Sequence, residues 1–525
     1  MVILHGNTIS TGYICSYIIN GQYKMKGITT LLTLLLLFGI QPNESKTARL
    51  YISNYENILG TSLELKLTGT SERGAELAEG AALTEIKRLS SIFSAYDKES
   101  EFSRWLASDL HRPVKVSNEL FNMLQLFDRW KIRTNGALDA ASAVATNLWK
   151  EAARQQKLPT ANEIDAAVSR MRQVHYTLDS RAHTATRTSD APLVMNTFAK
   201  SYIINKACEA ALATSEISAA VVNIGGDLVV RGDVNDIVKV TNPLANAEND
   251  APLDQLIINN LAVATSGNYR RGEQIKKNWY SHIVDPRTGK PVEGVSSATV
   301  IAADATDAGA LATAFNILSL AESKALAETV KGAEYLIITS TGKRIESKGW
   351  HKLVDPTNKN RKEVVTPIYA GAEKAWDSKY ELAITFELKA IAGNNHRPFA
   401  AIWVENDKKQ SVRNLALWYN KTKWVPDLRN WYRINGEKFK ADKANYASVT
   451  GATRSPGKYT IKWDGKDDNG AFVPQGNYTI HIESSKEHGT DEIIRQPLEL
   501  KKAAKKVTIA GNVEISNLTF EFRKK

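Results

Sequence analysis

The sequence predicts an α+β domain followed by a separate all-β domain of sandwich type. Three observations carry this. The 525 residues exceed what one hydrophobic core organises, so about two to four domains are expected. Up to about Lys348, helical and strand periodicities mix without the strict alternation of a parallel βαβ sheet. From Lys379 onward, segments such as YELAITFELKAI, PFAAIWVEN, KYTIKWDG and NLTFEFRKK alternate apolar and polar residues between turn signals, as half-buried strands do.

In chain order, residues 1–24 do not read as a structured domain. Lys24 and Lys26 then precede the apolar run GITTLLTLLLLFGI, which has the length of a signal-peptide core and is short for a membrane span. The predicted layout is an upstream extension and leader over 1–48, a first domain over 49–348, a linker over 349–370 and a β-domain over 371–525. In the first domain, alternation over 50–68 predicts a strand. Helices are predicted at 74–93, 118–130, 161–174 and 192–214. Short strands follow at 219–224, 228–231, 237–240, 255–262 and 297–302, then a helix at 308–320 and a strand at 335–339.

Composition limits the function. With 43% hydrophobic and 24% charged residues the chain is globular. Its formal charge of +11 is spread thinly, without the arginine-rich stripe of a nucleic-acid binder, so no nucleic-acid partner is expected. Two cysteines, Cys15 and Cys208, cannot build a disulfide framework or a zinc site. Removal of the leader would leave Cys208 alone, which suits an oxidising compartment.

The densest chemistry lies in YSHIVDPRTG, Tyr280 to Gly289. An imidazole (His282), a carboxylate (Asp285), a guanidinium (Arg287) and a hydroxyl (Thr288) follow one short strand into a turn set by Pro286 and Gly289. Such a turn can hold a phosphorylated ligand; the same residues also suit a surface turn. Asn223-Ile224-Gly225-Gly226-Asp227 lets backbone approach a ligand or makes a tight hairpin. Thr265-Ser266-Gly267-Asn268-Tyr269-Arg270 offers hydroxyls and a cation to phosphate oxygens.

Taken with LGTS at Leu59, FSAYDKESEFSRW at Phe93, TNGALDAASA at Thr134, FAKSY at Phe198 and ALATA at Ala310, these segments run collinearly from about Ile58 to Ile338 and resemble the periplasmic FAD:protein FMN transferases, the ApbE family. The resemblance implies transfer of FMN from FAD to a Thr or Ser hydroxyl of an exported acceptor protein, with release of AMP. It implies flavin-nucleotide contacts at Tyr96, Ala137, Leu138, Asp139, Lys200 and Ile283, with His282 beside them for proton transfer. It also implies magnesium, with Thr197 and Thr313 at ligand positions. The family pattern has an Asp where this chain has Gly309, so Asp307 is the substitute carboxylate if the helix start is remodelled. Val194 and Asn205 stand where the pattern has Asp, and Thr197 and Ser201 where it has Gly. A second reading therefore stays open: a flavin-binding relative without turnover, or a covalently flavinylated electron carrier.

The C-terminal region resembles the DUF2271 domains fused to such transferases, and WDGKDDNGAFVPQGNY at Trp463 resembles a hairpin of immunoglobulin-like modules. Its Asp464, Asp467, Asp468 and Asn469 suit a turn better than a calcium loop. WYNKTKWVPDLRNWYR at Trp418 reads as sandwich core with Trp anchors. Thr450-Gly451-Ala452-Thr453 resembles the (S/T)GAT sequence that FMN transferases modify, which implies Thr453 as an FMN acceptor within this chain. The location implied is exported: periplasmic, or attached to the periplasmic face of the inner membrane.

Overall fold

The computed structural model describes residues 47–268, 271–356, 376–389, 397–441, 446, 448–486, 491–501 and 503–525. The leader and most of the 349–370 linker lie outside the described residues. The first region is organised by an eight-stranded sheet whose spatial order follows the chain: β1 (Arg49–Ile58), β2 (Thr61–Gly69), β3 (Ile217–Ile224), β4 (Asp227–Gly232), β5 (Ala262–Gly267), β6 (Val295–Ala302), β7 (Glu334–Thr339) and β8 (Arg344–Glu346). Every neighbouring pair is antiparallel. Helices enter as insertions between sheet neighbours, which gives α+β character without βαβ units.

The stretch predicted as one strand over 50–68 is a hairpin. Ile58 pairs with Thr61 across Leu59 and Gly60, which have φ of 51° and 76°. Two positive-φ residues make the hairpin turn whose twist matches the strands. Leu at the first position hides the signal, since Asn, Asp or Gly usually marks it.

Helix α1 (Glu72–Phe93) is capped by Ser71, whose side chain accepts from Gly74 N. It buries Ala75, Ala78, Ala82, Ile86, Leu89 and Phe93 against the sheet. Helix α2 (Asn118–Arg133) buries an aromatic stripe that includes Phe121, Phe127 and Trp130. The predicted helix over 192–214 is shorter: α3 spans Ala199–Leu212, and Thr197 lies in the loop that enters it. Beyond the predicted elements, the structure adds a helix at Ala143–Gln155 and a short one at Leu320–Glu328. Helix α4 (Ala305–Ile317) is apolar almost all round and lies in the core, packed on β5, β6 and α3.

The C-terminal region has a core that shares no residue with the first. Two sheets face each other across it. One holds four strands in the order β13 (Gly457–Trp463), β9 (Tyr380–Leu388), β17 (Ile515–Lys524) and β16 (Lys505–Ile509). The other holds five, in the order β12 (Thr450–Gly451), β11 (Ser411–Trp418), β10 (Phe399–Asn406), β14 (Gly476–Ser485) and β15 (Asp491–Leu500). The Trp-rich segment divides: Trp418 ends β11 in the core between the sheets, as read, whereas from Arg429 the chain forms a helix, α5 (Arg429–Ala441). It packs Trp431 and Phe439 on the outer face of the five-stranded sheet with Phe399, Ala401 and Trp403. Glu483, fully buried, accepts from Asn430 N, Asn430 Nδ2 and Trp431 N at 2.8, 2.9 and 2.7 Å and so anchors the start of that helix. The Asp-rich hairpin is a turn: Asp467 Oδ1 accepts from Asn469 N and Ala471 N, and Asp468 is engaged by Asn414.

Ala48–Lys525 is one compact unit, and polar contacts join its two regions. Asn54 N donates to Asn420 O at 2.6 Å. Glu79 accepts from Ser53, Tyr55 and, at 3.0 Å, Lys421. Arg397 pairs with Glu56 at 2.6 Å, and Lys462 with Asp250 at 2.8 Å. Burial still pushes the Glu56 carboxyl up to about 7, against the pull of Arg397.

Candidate functional site

The site is assembled where α3 crosses α4 over strands β4 and β5. Lys200, in the first turn of α3, reaches Asp227 at the start of β4 with 2.5 Å between Nζ and Oδ2. The other oxygen of Asp227 accepts from Thr265 N at 3.0 Å, and Thr265 Oγ1 shares a 2.9 Å hydrogen bond with Thr299 Oγ1. Asp227 is only 8% exposed, so a buried carboxylate with both oxygens engaged fixes the direction of a partly exposed ammonium. Gly225 and Gly226, with φ of 62° and 96°, turn the chain that delivers it. In the sequence Asp227 stands only as the end of a Gly-Gly turn; its charge beside a helix-borne lysine becomes meaningful once β4 and α3 are seen to touch.

The crossing itself is tight. A Cβ on Gly309 would collide with Ser201 Oγ, and would lie 3.3 Å from Ser201 Cβ and 3.6 Å from the Thr197 carbonyl oxygen. Thr313 Oγ1 donates to the Gly309 carbonyl at 3.0 Å. Ser201 and the Thr197 carbonyl thus face Gly309 across the crossing, while Thr313 Oγ1 turns back onto its own helix. Asp307 does not join them. Two residues along a helix is a rotation of roughly 200°, which carries it to another face. There burial and Asp304 raise its carboxyl, while Arg133 and Arg129 pull it down. Asp304 is occupied capping α4 through Thr306 N and Asp307 N.

Magnesium asks for hard oxygen ligands including one or two carboxylates. The oxygens gathered at Gly309 are a carbonyl and hydroxyls, and among the described residues no group of three or more His, Cys, Asp or Glu converges on one point. The residues present do not fit a carboxylate-held dication.

The loop Ala137, Leu138, Asp139 is set by burial. Ala137 and Leu138 are 1% and 2% exposed, backbone included, so both belong to the packed core. Asp139 accepts from Ala141 N at 2.8 Å and pairs with Lys131 at 2.7 Å. Val194 N donates to Ala140 O at 2.8 Å and ties this loop to the one that enters α3. Tyr96 projects from the loop after α1 and is 87% exposed.

In the YSHIVDPRTG turn, Asp285 folds back onto Arg287, with 2.9 Å between Oδ2 and Nη2, and Arg287 also meets Glu322. Gly289, at φ 67°, lies against Ile164 and Val168, and its carbonyl accepts from Trp149 Nε1 at 2.8 Å. Arg287 is thus committed to building the turn. His282 stands apart from this turn network. Its Nδ1 lies 2.9 Å from the Arg271 carbonyl oxygen. A carbonyl only accepts, so Nδ1 carries the proton and Nε2 keeps its lone pair. Burial holds the ring below the usual imidazole range, so it is neutral at neutral pH. Ile283 follows, 9% exposed, with its N–H given to Ser281 Oγ at 3.0 Å. A cavity of about 250 Å³ runs from Asp285 and Thr288 to Asn316 and Ser319 at the end of α4.

Thr453 is far from presented. It is 3% exposed, and its Oγ1 is enclosed without a hydrogen-bond partner among the described residues. The preceding Thr450–Gly451 pairs in parallel with Leu417 and Trp418 at the sheet edge.

The arrangement offers a fixed ammonium for a polyanion and a neutral imidazole with a free lone pair. Comparison with known proteins gives it a family. The ApbE family model matches residues 59–337, more than half of the chain. A second model, "Predicted periplasmic protein (DUF2271)", matches 381–517. The chain is 28% identical over 307 residues to the FAD:protein FMN transferase of Escherichia coli K12, covering 57% of this chain and 87% of the relative. It is 29% identical over 314 residues to that of Vibrio cholerae, covering 57% and 90%. The crystal structure of the ApbE protein of Thermotoga maritima superposes with a TM-score of 0.52 at 25% identity, over 58% of this chain and all of that one. The chain belongs to the ApbE family and carries a DUF2271 region at its C-terminal end.

Proposed function

We propose that this chain is an FAD:protein FMN transferase, a transferase that moves FMN from FAD to a hydroxyl of an exported acceptor protein. The observation that carries the reading is the match to the ApbE family across the region that also holds the Lys200–Asp227 pair and the neutral His282. The roles we assign draw on the family resemblance and are compatible with this geometry. Lys200 meets the diphosphate. The loop at Ala137, Leu138 and Asp139, with Ile283 and the exposed Tyr96, flanks the flavin nucleotide. Nε2 of His282 takes the proton of the acceptor hydroxyl as its oxygen attacks the phosphorus nearer the flavin. The new ester P–O bond forms, the anhydride P–O bond breaks, and AMP leaves with the bridging oxygen.

The working layout is a leader within 1–48, a transferase domain over 49–348, a linker over 349–370 and an immunoglobulin-like sandwich over 371–525. Export to the periplasm is supported by the C-terminal match to a predicted periplasmic family. Among the described residues no helix is long and apolar enough to cross a membrane. The acceptor is a separate exported protein with an (S/T)GAT-type segment, because the hydroxyl of Thr453 is enclosed in this fold. Thr453 itself becomes an acceptor only where its segment leaves the sheet edge.

The test combines the full chain, FAD and an acceptor domain bearing (S/T)GAT. In-gel flavin fluorescence on the acceptor and stoichiometric AMP are expected, and His282→Ala should slow both by roughly 10²–10⁴-fold. FAD binding without either product would instead support the second reading, a flavin-binding relative without turnover, which the crowding of Gly309 by Ser201 favours.

A further inference from the structure

We infer that Ser201 and Gly309 form one steric unit that closes the helix crossing to a carboxylate, and that the diphosphate of the ligand is met here by the Lys200 ammonium without a carboxylate-held dication. The inference deepens the proposed function and rests on FAD as the ligand; its steric half does not.

Ser201 is 3% exposed, and its Oγ fills the volume that any side chain on Gly309 would enter. The approach is far inside contact distance, so a larger residue at 309 forces α3 and α4 apart or drives Ser201 from its rotamer. Removing the Ser201 side chain frees that volume, since the next neighbour, the Thr197 carbonyl oxygen, lies at 3.6 Å, an ordinary contact. Position 309 thus takes a side chain without displacing its neighbours only once the Ser201 hydroxyl is gone. With Ser201 in place, the oxygens at the crossing are neutral, and a dication gains too little from them to offset its own dehydration. Positive charge is nonetheless at hand one residue away. Lys200 is held by Asp227, whose second oxygen is tied to Thr265 N. A fixed ammonium stabilises charge on a diphosphate without metal, as a point charge of known position.

The test uses four full-length proteins: the natural chain, Ser201→Gly, Gly309→Asp and the double variant, each freed of metal. Two readouts are taken, the melting temperature against magnesium concentration without FAD, and FAD affinity in EDTA against affinity in excess magnesium. The natural chain should show no magnesium-dependent melting shift and an FAD affinity equal in both buffers within roughly twofold. Gly309→Asp alone should melt lower. The double variant should regain that loss, rise in melting temperature with the logarithm of magnesium concentration, and bind FAD roughly tenfold or more tightly in magnesium than in EDTA. The inference is overturned if magnesium tightens FAD binding tenfold in the natural chain, or if Gly309→Asp is as stable as the double variant. Absence of FAD binding in the natural chain would refute the ligand assignment and with it the role of Lys200, while the melting curves would still decide the steric unit.

Discussion

Lys200→Met is expected to lower both stability and FAD affinity, and the two losses are expected to separate when Asp227 is changed as well. In the natural chain the buried Asp227 carboxylate has one oxygen on the Lys200 ammonium and one on Thr265 N. Methionine keeps the apolar length of the lysine stem and removes its charge. Asp227 is then left with a single hydrogen bond in a site only 8% exposed. Breaking one side of a buried pair is more damaging than lacking the pair altogether, because the remaining charge is uncompensated. Lys200 is one-third exposed and water partly screens the pair, so the cost falls to about 1–3 kcal/mol. Adding Asp227→Asn in the same background removes the stranded charge and keeps an oxygen for Thr265 N, so stability should return to within about 1 kcal/mol of the natural chain. FAD affinity should not return. Loss of a charge-assisted contact to phosphate weakens binding by roughly ten- to a hundredfold, and the neutral amide introduced by Asp227→Asn cannot replace it. Denaturant unfolding and quenching of flavin fluorescence measure the two effects independently. If the double variant recovered FAD affinity along with stability, Lys200 would be a structural residue and the ligand would be met elsewhere.

That separation reflects what the sequence can and cannot reveal. His282 and Lys200 stand out in the sequence because an imidazole at a strand end and a lysine on an otherwise apolar helix face are local anomalies. Asp227 is visible as a residue but not as a partner, since its role depends on β4 lying under α3. The Ser201–Gly309 contact is hidden for the same reason: each looks like a departure from a pattern, and only the helix crossing shows that they fill one space. The fold shows the same division. Strands β3, β4, β6 and β7 are near-continuous apolar runs and fall within a few residues of their predicted positions, whereas the 255–262 stretch covers most of Asp254–Ile258 and only the first residue of β5. The helix Ala143–Gln155 is missed although its faces contrast, with Val144, Trp149 and Ala152 buried, so its periodicity is legible. Helix α5 escapes prediction because its sequence, RNWYRINGEKFKA, carries aromatics and an Asn-Gly pair that argue for strand and turn. Tertiary packing of Trp431 and Phe439 on the outer sheet face, and the Glu483 anchor at the helix start, override that local preference.

The same outer face gives the second large expectation, a pH dependence of stability set by His481. This imidazole is 5% exposed and stacked on the Trp403 ring at 4.6 Å between centroids, and neither ring nitrogen has a hydrogen-bond partner among the described residues. Glu405 stands 3.5 Å from Nε2, while Arg495 opposes protonation; burial is the larger influence and pushes the pKa down to about 4. The ordinary value, 6.5, applies to the unfolded chain. Above pH 6.5 the ring is neutral in both states and the fold keeps its full stability. As pH falls from 6.5 towards 4, the unfolded chain binds a proton that the folded chain refuses, and stability drops by up to about 3 kcal/mol. Glu483, on the same sheet face, acts in the opposite sense. Burial raises its carboxyl, so the folded chain takes up a proton first as pH falls and gains stability over the same range. The natural chain should therefore show a shallow profile. Glu483→Gln, which keeps an oxygen for the two Asn430 donors and loses the acceptor for Trp431 N, should expose the full decline between pH 6.5 and 4. Adding His481→Phe, which preserves the stack on Trp403, should flatten it again. Urea unfolding followed by tryptophan fluorescence across that range measures all three proteins. Equal slopes in Glu483→Gln with and without His481 would assign the acid sensitivity to other groups.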